Sequence, residues 1–250
     1  MNTRFSFLST NTLKFMAAAF MVCDHIGVIL FPDILLLRII GRLAFPMFAF
    51  MIAEGCRHTR NKLRHFLTIG GFAFACQLGF YIFDPEMALR EINVFVTFTF
   101  SVMMIYALQA FYKRLFDRNA SWKSRVLFGV IFISIVFAVY YISLYINFDY
   151  NFYGAIIPLM ASLFMLPDNC DIDILKKLDN KYMHILTMSI GVALMVFSDP
   201  VKMKRFAMLS IVPLLLYSGK KGKLKTKYFF YIFYPLHLVI IEGIYILMHI

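Results

Sequence analysis

The chain has 250 residues, of which 61% are hydrophobic, 18% aromatic and only 16% charged. A soluble domain of this length cannot bury so much apolar surface, because charged residues normally make up about a quarter of a soluble protein. The net charge of +11 does not indicate nucleic-acid binding, because the basic residues fall in short clusters between apolar runs. This distribution is typical of membrane proteins whose basic loops stay inside the cell. Lipid is therefore an expected partner and nucleic acid is not.

Nine apolar segments follow one another along the chain and are candidates for membrane-spanning helices, each of which needs about 20 mostly apolar residues. They lie at roughly 12–31, 35–56, 66–83, 93–112, 126–146, 152–166, 183–199, 206–218 and 228–249. The sixth to eighth are short, so eight or ten spans stay open. No linker or repeat interrupts the chain, and the fold class is therefore an all-α, polytopic transmembrane bundle with one domain over residues 1–250.

The lysines and arginines between the spans predict the orientation of the bundle. With a cytoplasmic N-terminus, 19 of the 25 lie on the inner side and four on the outer side, while Arg38 and Arg42 lie within the second span. Such an excess predicts that the N-terminus is cytoplasmic, in a multi-pass protein of the cytoplasmic (inner) membrane. The outer cluster 202–205 fits this orientation least well.

Charged residues within the first two spans give the clearest functional signal. Asp24, His25, Arg38 and Arg42 lie inside them and Glu54 lies toward the inner end. An ionised group near the centre of a span costs about 2.5–3.5 kcal/mol on insertion scales. One interpretation is an ion pair between Asp24 and an arginine that only joins the two helices; the other is a functional site.

Helical rise predicts that three polar side chains reach a similar depth. At 1.5 Å per residue, His25 lies about 16 Å above the inner surface, Arg42 about 20 Å and His237, in the last span, about 15 Å. Gly41 allows close approach of a backbone or a ligand, and Pro46 is expected to bend the second helix just below. This convergence favours a buried site.

Several other polar residues have structural explanations of equal or greater weight. His237 alone is more often a packing residue, and Glu242 is either its partner or a carboxylate that faces the lumen. Asn93, at the start of the fourth span, is expected to cap it or to bond between helices. The four cysteines have no paired spacing, so neither a disulfide nor a metal site is expected.

The inner end of the second span is rich in basic residues, namely Arg57, His58, Arg60 and Arg64. Charge that sets the orientation in the membrane explains them, but arginines near a helix end also suit phosphates. The residues alone leave these two interpretations open.

Several motifs at the two ends of the chain resemble the TraX family of membrane proteins. The resemblance runs from about residue 13 to 240, is compositional between 100 and 220, and is carried by the motifs KFMA at 14–17, DHIG at 24–27, RIIGRLAFPMFAF at 38–50, EG at 54–55, HTRN at 58–61 and YIFYPLHL at 231–238.

The resemblance implies acetyl transfer. The founding member is associated with N-terminal acetylation of conjugative pilin, and the family is similar to transmembrane acyltransferases that take acetyl-CoA from the cytosol and use an intramembrane histidine. That role falls on His25. The identity of the acceptor does not follow from the resemblance, so a protein N-terminus, a surface glycan and a lipid head group all stay open.

These observations combine into a hypothesis of an acetyl-CoA-dependent membrane acyltransferase. The phosphates of acetyl-CoA would bind the basic cluster of 57–64, and His25 would act as general base on an amine or hydroxyl acceptor. Arg42 or Arg38 would stabilise the oxyanion or hold Asp24, and an acetyl-histidine intermediate is a further option. One alternative is a proton- or ion-coupled transporter that uses the same buried charges, although the second half of the chain has no counterpart of these charges. Another alternative is a non-catalytic assembly factor.

Overall fold

The computed structural model describes residues 6–83, 85–90, 92–198, 202–220, 222 and 229–249. Within these residues the chain is helical, with two isolated β-bridges and no strand. A 3₁₀-helix covers Lys202–Ser210, and the α-helices are α1 (Thr10–Ile29), α2 (Leu35–Gly41), α3 (Ala44–His58), α4 (Lys62–Phe83), α5 (Pro85–Arg90), α6 (Val94–Leu115), α7 (Trp122–Tyr145), α8 (Asn151–Ser162), α9 (Asp173–Leu178), α10 (Lys181–Ser198), α11 (Ile211–Leu215) and α12 (Phe229–His249).

Seven stretches among the described helices are long and apolar enough to cross a membrane. They are α1, α2 together with α3, α4, α6, α7, α10 and α12. In α7 only Val139 is buried within the protein, so a large part of the apolar surface of this helix is left for lipid. The prediction of an all-α, multi-pass membrane protein is confirmed.

Two of the nine predicted spans are shorter than a membrane crossing requires. The sixth corresponds to α8, whose 12 residues give a length of about 18 Å against a hydrocarbon core about 30 Å thick. The eighth falls on the 3₁₀-helix and on α11, which has 5 residues. The number of crossings and the cytoplasmic N-terminus therefore stay predictions.

The chain divides into two compact units that share α3 and α10. Unit 1 comprises Met1–Met51 and Val192–Ile250, and unit 2 comprises Ile52–Gly191. Both units are helical, and each is described by itself below. The expectation of a single domain over the whole chain stays a prediction.

Unit 1 is built around α1, which packs against α2 and α12. The side chain of Ser9 caps α1 by accepting a hydrogen bond from the backbone N–H of Thr12. Just before this cap, the backbone of Leu8 forms a bridge with Tyr217. The start of α1 is thereby attached to the segment that follows α11, which fixes where the first helix enters the bundle.

The second predicted span is broken into two helices. The helix α2 ends at Gly41 and α3 begins at Ala44, with Arg42 and Leu43 in a turn between them. Pro46 has no N–H to donate to the carbonyl of Arg42, so the regular helical bond is lost at this point. The bend expected from Pro46 is present as a break that places Arg42 at a helix end.

Unit 2 packs α6 against α4, α7 and α8. Asn93 caps α6 through the backbone N–H of Phe95, and its amide nitrogen donates to the carbonyl of Ala73 and to Gln77 Oε1. The hydroxyl of Ser101 donates to backbone carbonyls of α6 and α8, which satisfies this polar group in the interior. Polar residues thus join the helices of unit 2, as is common in membrane bundles.

Candidate active site

An ion pair joins α1 to the α2–α3 break. The Asp24 carboxylate accepts hydrogen bonds from Arg42, with Nε at 3.2 Å from Oδ1 and Nη2 at 2.5 Å from Oδ2. Arg38 Nη1 lies 3.2 Å from Asp24 Oδ1 and also donates to the Asp24 carbonyl at 3.4 Å. Asp24 and Arg42 are only 14% and 11% exposed. Their mutual attraction offsets the cost of placing these charges away from water.

Two glycines allow the helices to come close enough for this ion pair. A Cβ added at Gly41 would lie 2.6 Å from the Cα of Asp24, and one at Gly27 would lie 2.8 Å from the Cβ of Leu37. Real Cβ atoms are not found at such distances, so α1 and α2 approach each other at positions where only glycine fits. The close approach expected at Gly41 is confirmed.

His25 faces another direction and meets α12. Its Nδ1 lies 2.7 Å from Nε2 of His237, and the two rings stack with centroids 4.9 Å apart at an interplanar angle of 24°. His237 is buried, with 5% of its surface exposed, whereas His25 is half-buried. Adjacent residues on a helix point about 100° apart, which is why Asp24 can pair with arginine while His25 reaches His237. The predicted convergence of His25 and His237 is confirmed.

The second ring nitrogen of His25, Nε2, is the atom that could react. Its Nε2 has no hydrogen-bond partner among the protein atoms in the described part of the chain. The positive charges of Arg42 and Arg38 act on the ring. A half-buried imidazole with one nitrogen held and the other open, next to cations, can exchange a proton with a reactant and favours negative charge that develops nearby.

Glu242 does not take part in this cluster. Both ring nitrogens of His237 are engaged, Nε2 by His25 and Nδ1 by the carbonyl of Phe233 at 2.9 Å, and Glu242 is exposed. The suggestion that Glu242 is the partner of His237 is therefore wrong. Asn93, considered as a possible site residue, is occupied in capping α6 and bonding to α4 in unit 2.

In unit 2, Arg57 is held by an acid far away in the sequence. Its two terminal nitrogens donate to the two carboxylate oxygens of Asp179, at 2.7 and 3.0 Å. Asp179 also lies 3.0 Å from His184 Nε2 and accepts from the backbone N–H of Leu166. Burial raises the pKa of Asp179, but the bonds from His184, Arg57 and Leu166 outweigh this effect and hold the pKa below its usual value.

The other predicted phosphate ligands are exposed. His58 Nε2 lies 3.7 Å from Glu54 Oε2, one helical turn earlier, and the His58 side chain is 72% exposed. Arg60 and Arg64 are exposed as well, and the backbone N–H of Arg64 donates to Asn61 at the start of α4. A phosphate could therefore reach Arg60 and Arg64, whereas the planar group of Arg57 is already paired.

The charged network around Asp179 was not foreseen from the sequence. Asp179 is separated from Arg57 by 122 residues, and no local pattern connects the two. Within the described residues, no three His, Cys, Asp or Glu side chains come together in a group that could hold a metal ion.

Fold and site together define a multi-pass α-helical membrane protein whose first helix carries a partly buried ion pair and a histidine bonded to a second histidine. The chain matches the family described as TraX protein over residues 9–245, which is nearly its whole length. It therefore belongs to the TraX family, as its motifs predict. This family is associated with the acetylation of pilin, and membership fits a membrane protein linked to pilin processing.

One further comparison covers only a short part of the chain. A stretch of 38 residues is 50% identical to an uncharacterized protein, RP591, of Rickettsia prowazekii (strain Madrid E). The match covers 15% of this chain and 15% of the length of that protein. No solved structure matches the chain.

Proposed function

We propose that this protein is an integral membrane acetyltransferase that moves an acetyl group from acetyl-CoA to an amine or hydroxyl acceptor, with His25 as general base. The observation that carries the proposal is the imidazole of His25, half-buried in a spanning helix, with Nδ1 held by His237 and Nε2 open beside arginines. Ionisable groups within spans are costly to insert, so they are by default candidates for functional sites. Membership of a family associated with pilin acetylation supports the same reaction.

The proposed chemistry needs only one base and one source of positive charge. As the acceptor attacks the thioester carbonyl, its N–H or O–H proton passes to His25 Nε2, and the new bond to carbon leaves a tetrahedral oxyanion. The oxyanion collapses, the carbon–sulfur bond breaks, and the thiolate of CoA takes the proton from His25. A positioned base of this kind contributes about 10²–10⁴-fold to the rate.

The two arginines have different tasks in this proposal. Arg42 directs Nε and Nη2 at Asp24, so its task is to hold the α1 carboxylate. Arg38 is 25% exposed, more than twice the 11% of Arg42, which makes it the better candidate to stabilise the oxyanion. Asp24 holds the guanidinium groups of Arg38 and Arg42 in place, and its negative charge offsets the repulsion between these two positive groups.

For the co-substrate we propose Arg60 and Arg64, with His58, as the groups that bind the phosphates of acetyl-CoA from the cytoplasm. These side chains are exposed in unit 2, and arginine binds phosphate through paired donors. Arg57 is left out because Asp179 occupies its planar group. The acceptor class stays as broad as a protein N-terminus, a glycan or a lipid head group, and the membrane is proposed to be the inner one.

The test is acetyl transfer by purified protein in lipid nanodiscs, with radiolabelled acetyl-CoA and a peptide whose free N-terminal amine is the acceptor. His25→Ala is expected to lower turnover by about 10²–10⁴-fold. His249→Ala is the matched control, because His249 lies exposed on α12 and, among the described residues, bonds only within its own helix. A His25→Ala protein that melts like the wild type and keeps its turnover contradicts the proposal. Mass spectrometry of surface molecules from cells with and without the protein identifies the acceptor.

A further inference from the structure

The hydrogen bonds of His237 determine which of its nitrogens carries the proton. Its Nδ1 lies 2.9 Å from the carbonyl oxygen of Phe233. A carbonyl oxygen can only accept a hydrogen bond, so Nδ1 of His237 must be the donor. In a neutral imidazole one nitrogen donates and the other accepts, and Nε2 of His237 is therefore the acceptor.

The same reasoning passes to His25, whose Nδ1 lies 2.7 Å from that Nε2. Since Nε2 of His237 accepts, Nδ1 of His25 must donate, and the lone pair of His25 then resides on Nε2. We infer that His237 is a positioning residue that holds His25 in the tautomer whose Nε2 is the basic nitrogen. The catalytic consequence of this inference rests on the proposed function; the tautomer itself does not.

The surroundings of His237 keep it in this orientation. The ring of Phe233 stacks on it with centroids 5.3 Å apart at 12°, and Tyr234 contacts it edge-on at 5.8 Å. Turning the ring over would place Cδ2 instead of Nδ1 at the Phe233 carbonyl and lose that hydrogen bond, while the two aromatic contacts limit other movements of this buried side chain. Each hydrogen bond in this series therefore has a defined donor, with His25 donating to His237 and His237 donating to the carbonyl of Phe233.

The arrangement is more than a packing contact. His249 makes the same bond to a carbonyl four residues earlier, that of Tyr245, also at 2.9 Å. It is exposed, however, and in the described part of the chain it bonds to no second histidine. The intrahelical bond is thus common to both histidines of α12, and the bond to His25 distinguishes His237. In catalytic sites a base is oriented by a third group in this way, and that group selects the reactive tautomer.

The proton that His25 takes from an acceptor also has a defined place. It binds Nε2, while the proton already on Nδ1 stays in the bond to His237. That bond becomes charge-assisted and therefore stronger while the ring is positively charged. His237 thus stabilises the transient imidazolium without itself changing its proton.

The test is nitrogen NMR of protein with ¹⁵N-labelled histidine in lipid bilayers. The chain has six histidines, and the signals of His25 are those lost in His25→Ala. The expected wild-type spectrum shows a neutral His25 ring protonated at Nδ1. In His237→Ala the ring is expected to change to the other tautomer or to a mixture, and in His249→Ala it is expected to stay as in the wild type.

A conservative variant separates orientation from folding. His237→Gln retains a carbonyl oxygen that can accept from His25 Nδ1, and it is expected to restore both the spectrum and the turnover. His237→Ala is expected to lower turnover by about 10–100-fold. This loss is smaller than the about 10⁴-fold loss caused by the wrong tautomer in serine proteases, because the imidazole of His25 in this variant samples both tautomers.

A wild-type His25 protonated at Nε2, or an unchanged tautomer in His237→Ala, overturns the inference. The spectrum decides the tautomer by itself, and the turnover of His25→Ala decides the proposed function, so failure of one is distinguishable from failure of the other.

Discussion

Replacing Gly41 with alanine tests whether the site depends on the close approach of α1 and α2. The added Cβ would lie 2.6 Å from the Cα of Asp24. Carbon atoms in favourable contact are separated by about 3.5–4.0 Å, so the two helices must move apart by about 1 Å. Because the obstructing atom is backbone, no change of side-chain rotamer relieves the clash.

The movement also breaks the ion pair. Arg42 follows Gly41 directly and moves with α2, so its 3.2 Å bond from Nε to Asp24 Oδ1 lengthens to about 4 Å, beyond hydrogen-bond range. Overpacking costs about 1–3 kcal/mol. Separating a fully buried pair costs about 3–5 kcal/mol, and this partly buried pair is expected to lie at the lower end of that range. These costs overlap, because moving the helices apart relieves the first and incurs the second. A loss of about 3 kcal/mol is expected, together with loss of acetyl transfer.

The assay is thermal unfolding in detergent combined with turnover in nanodiscs. Gly243→Ala on α12 is the matched control, because a Cβ there meets nothing within 4 Å, and Gly27→Ala is the intermediate case with its nearest neighbour at 2.8 Å. The expected order of destabilisation is Gly41, then Gly27, then Gly243. A Gly41→Ala protein as stable as Gly243→Ala refutes the reasoning, because it shows that the helices can separate without cost.

Two further predictions concern the carboxylates. Asp24→Asn removes the charge that faces two arginines, including Arg42. Because the pair is partly buried, the expected cost in unfolding experiments is about 3 kcal/mol, the lower end of the range for buried pairs. Glu86→Gln, in an exposed pair, is expected to cost less than about 1 kcal/mol, and equal effects of the two substitutions would contradict the difference in burial. Asp179→Asn is expected to cost about 1–2 kcal/mol at pH 7. Because the pKa of Asp179 is lowered in the folded protein, its stabilisation is present above the unfolded value of about 3.9 and is lost as the pH falls through the folded value. The difference in melting temperature between wild type and Asp179→Asn should therefore shrink below about pH 4, and a constant difference contradicts this explanation.

The meeting of His25 and His237 could be predicted because both lie on long helices that are expected to start at the same membrane surface. Helical rise then determines depth, and two residues at equal depth on neighbouring helices can touch. The direct bond between them could not be predicted, because it depends on the rotation of α12 about its axis. Hydropathy does not encode that rotation, since α12 is apolar on nearly every side.

The number of spans was harder to predict because hydropathy and helix length are separate properties. The segment of α8 is apolar enough for a span, but its helix has only 12 residues, and 202–210 forms a 3₁₀-helix. Segments that are covered by protein can be apolar without crossing a membrane. In α8 eight residues are buried within the protein, which explains the apolar composition without lipid.

The basic segment at 57–64 shows a different limitation of the sequence, which concerns contacts between distant residues. The basic residues at 57–64 predict an anion site or a topogenic loop, and the sequence could not show that Arg57 is paired with Asp179. Partner choice over 122 residues depends on the tertiary fold alone. In the proposed function, Arg60 and Arg64 therefore remain the arginines that bind acetyl-CoA. Arg57 instead has a structural role, because it pairs with Asp179.

The charge balance of unit 1 bears on the choice between acyl transfer and cation transport. Asp24 carries one negative charge and Arg38 and Arg42 two positive charges, which leaves a net charge of +1 when all three are ionised. At 4 Å two like unit charges repel by about 4 kcal/mol at an effective dielectric constant of about 20, which opposes a lasting cation near His25. The proton that His25 takes up during acyl transfer is different, because it forms together with the negative oxyanion and leaves with the thiolate. An oxyanion near His25 is stabilised by about 4 kcal/mol under the same assumptions. This energy is comparable with the contribution of about 2.7–4 kcal/mol that one oxyanion-hole donor makes. The arrangement therefore favours a reaction in which negative charge develops, and acetyl-CoA consumption measured beside proton flux in sealed vesicles distinguishes the two functions.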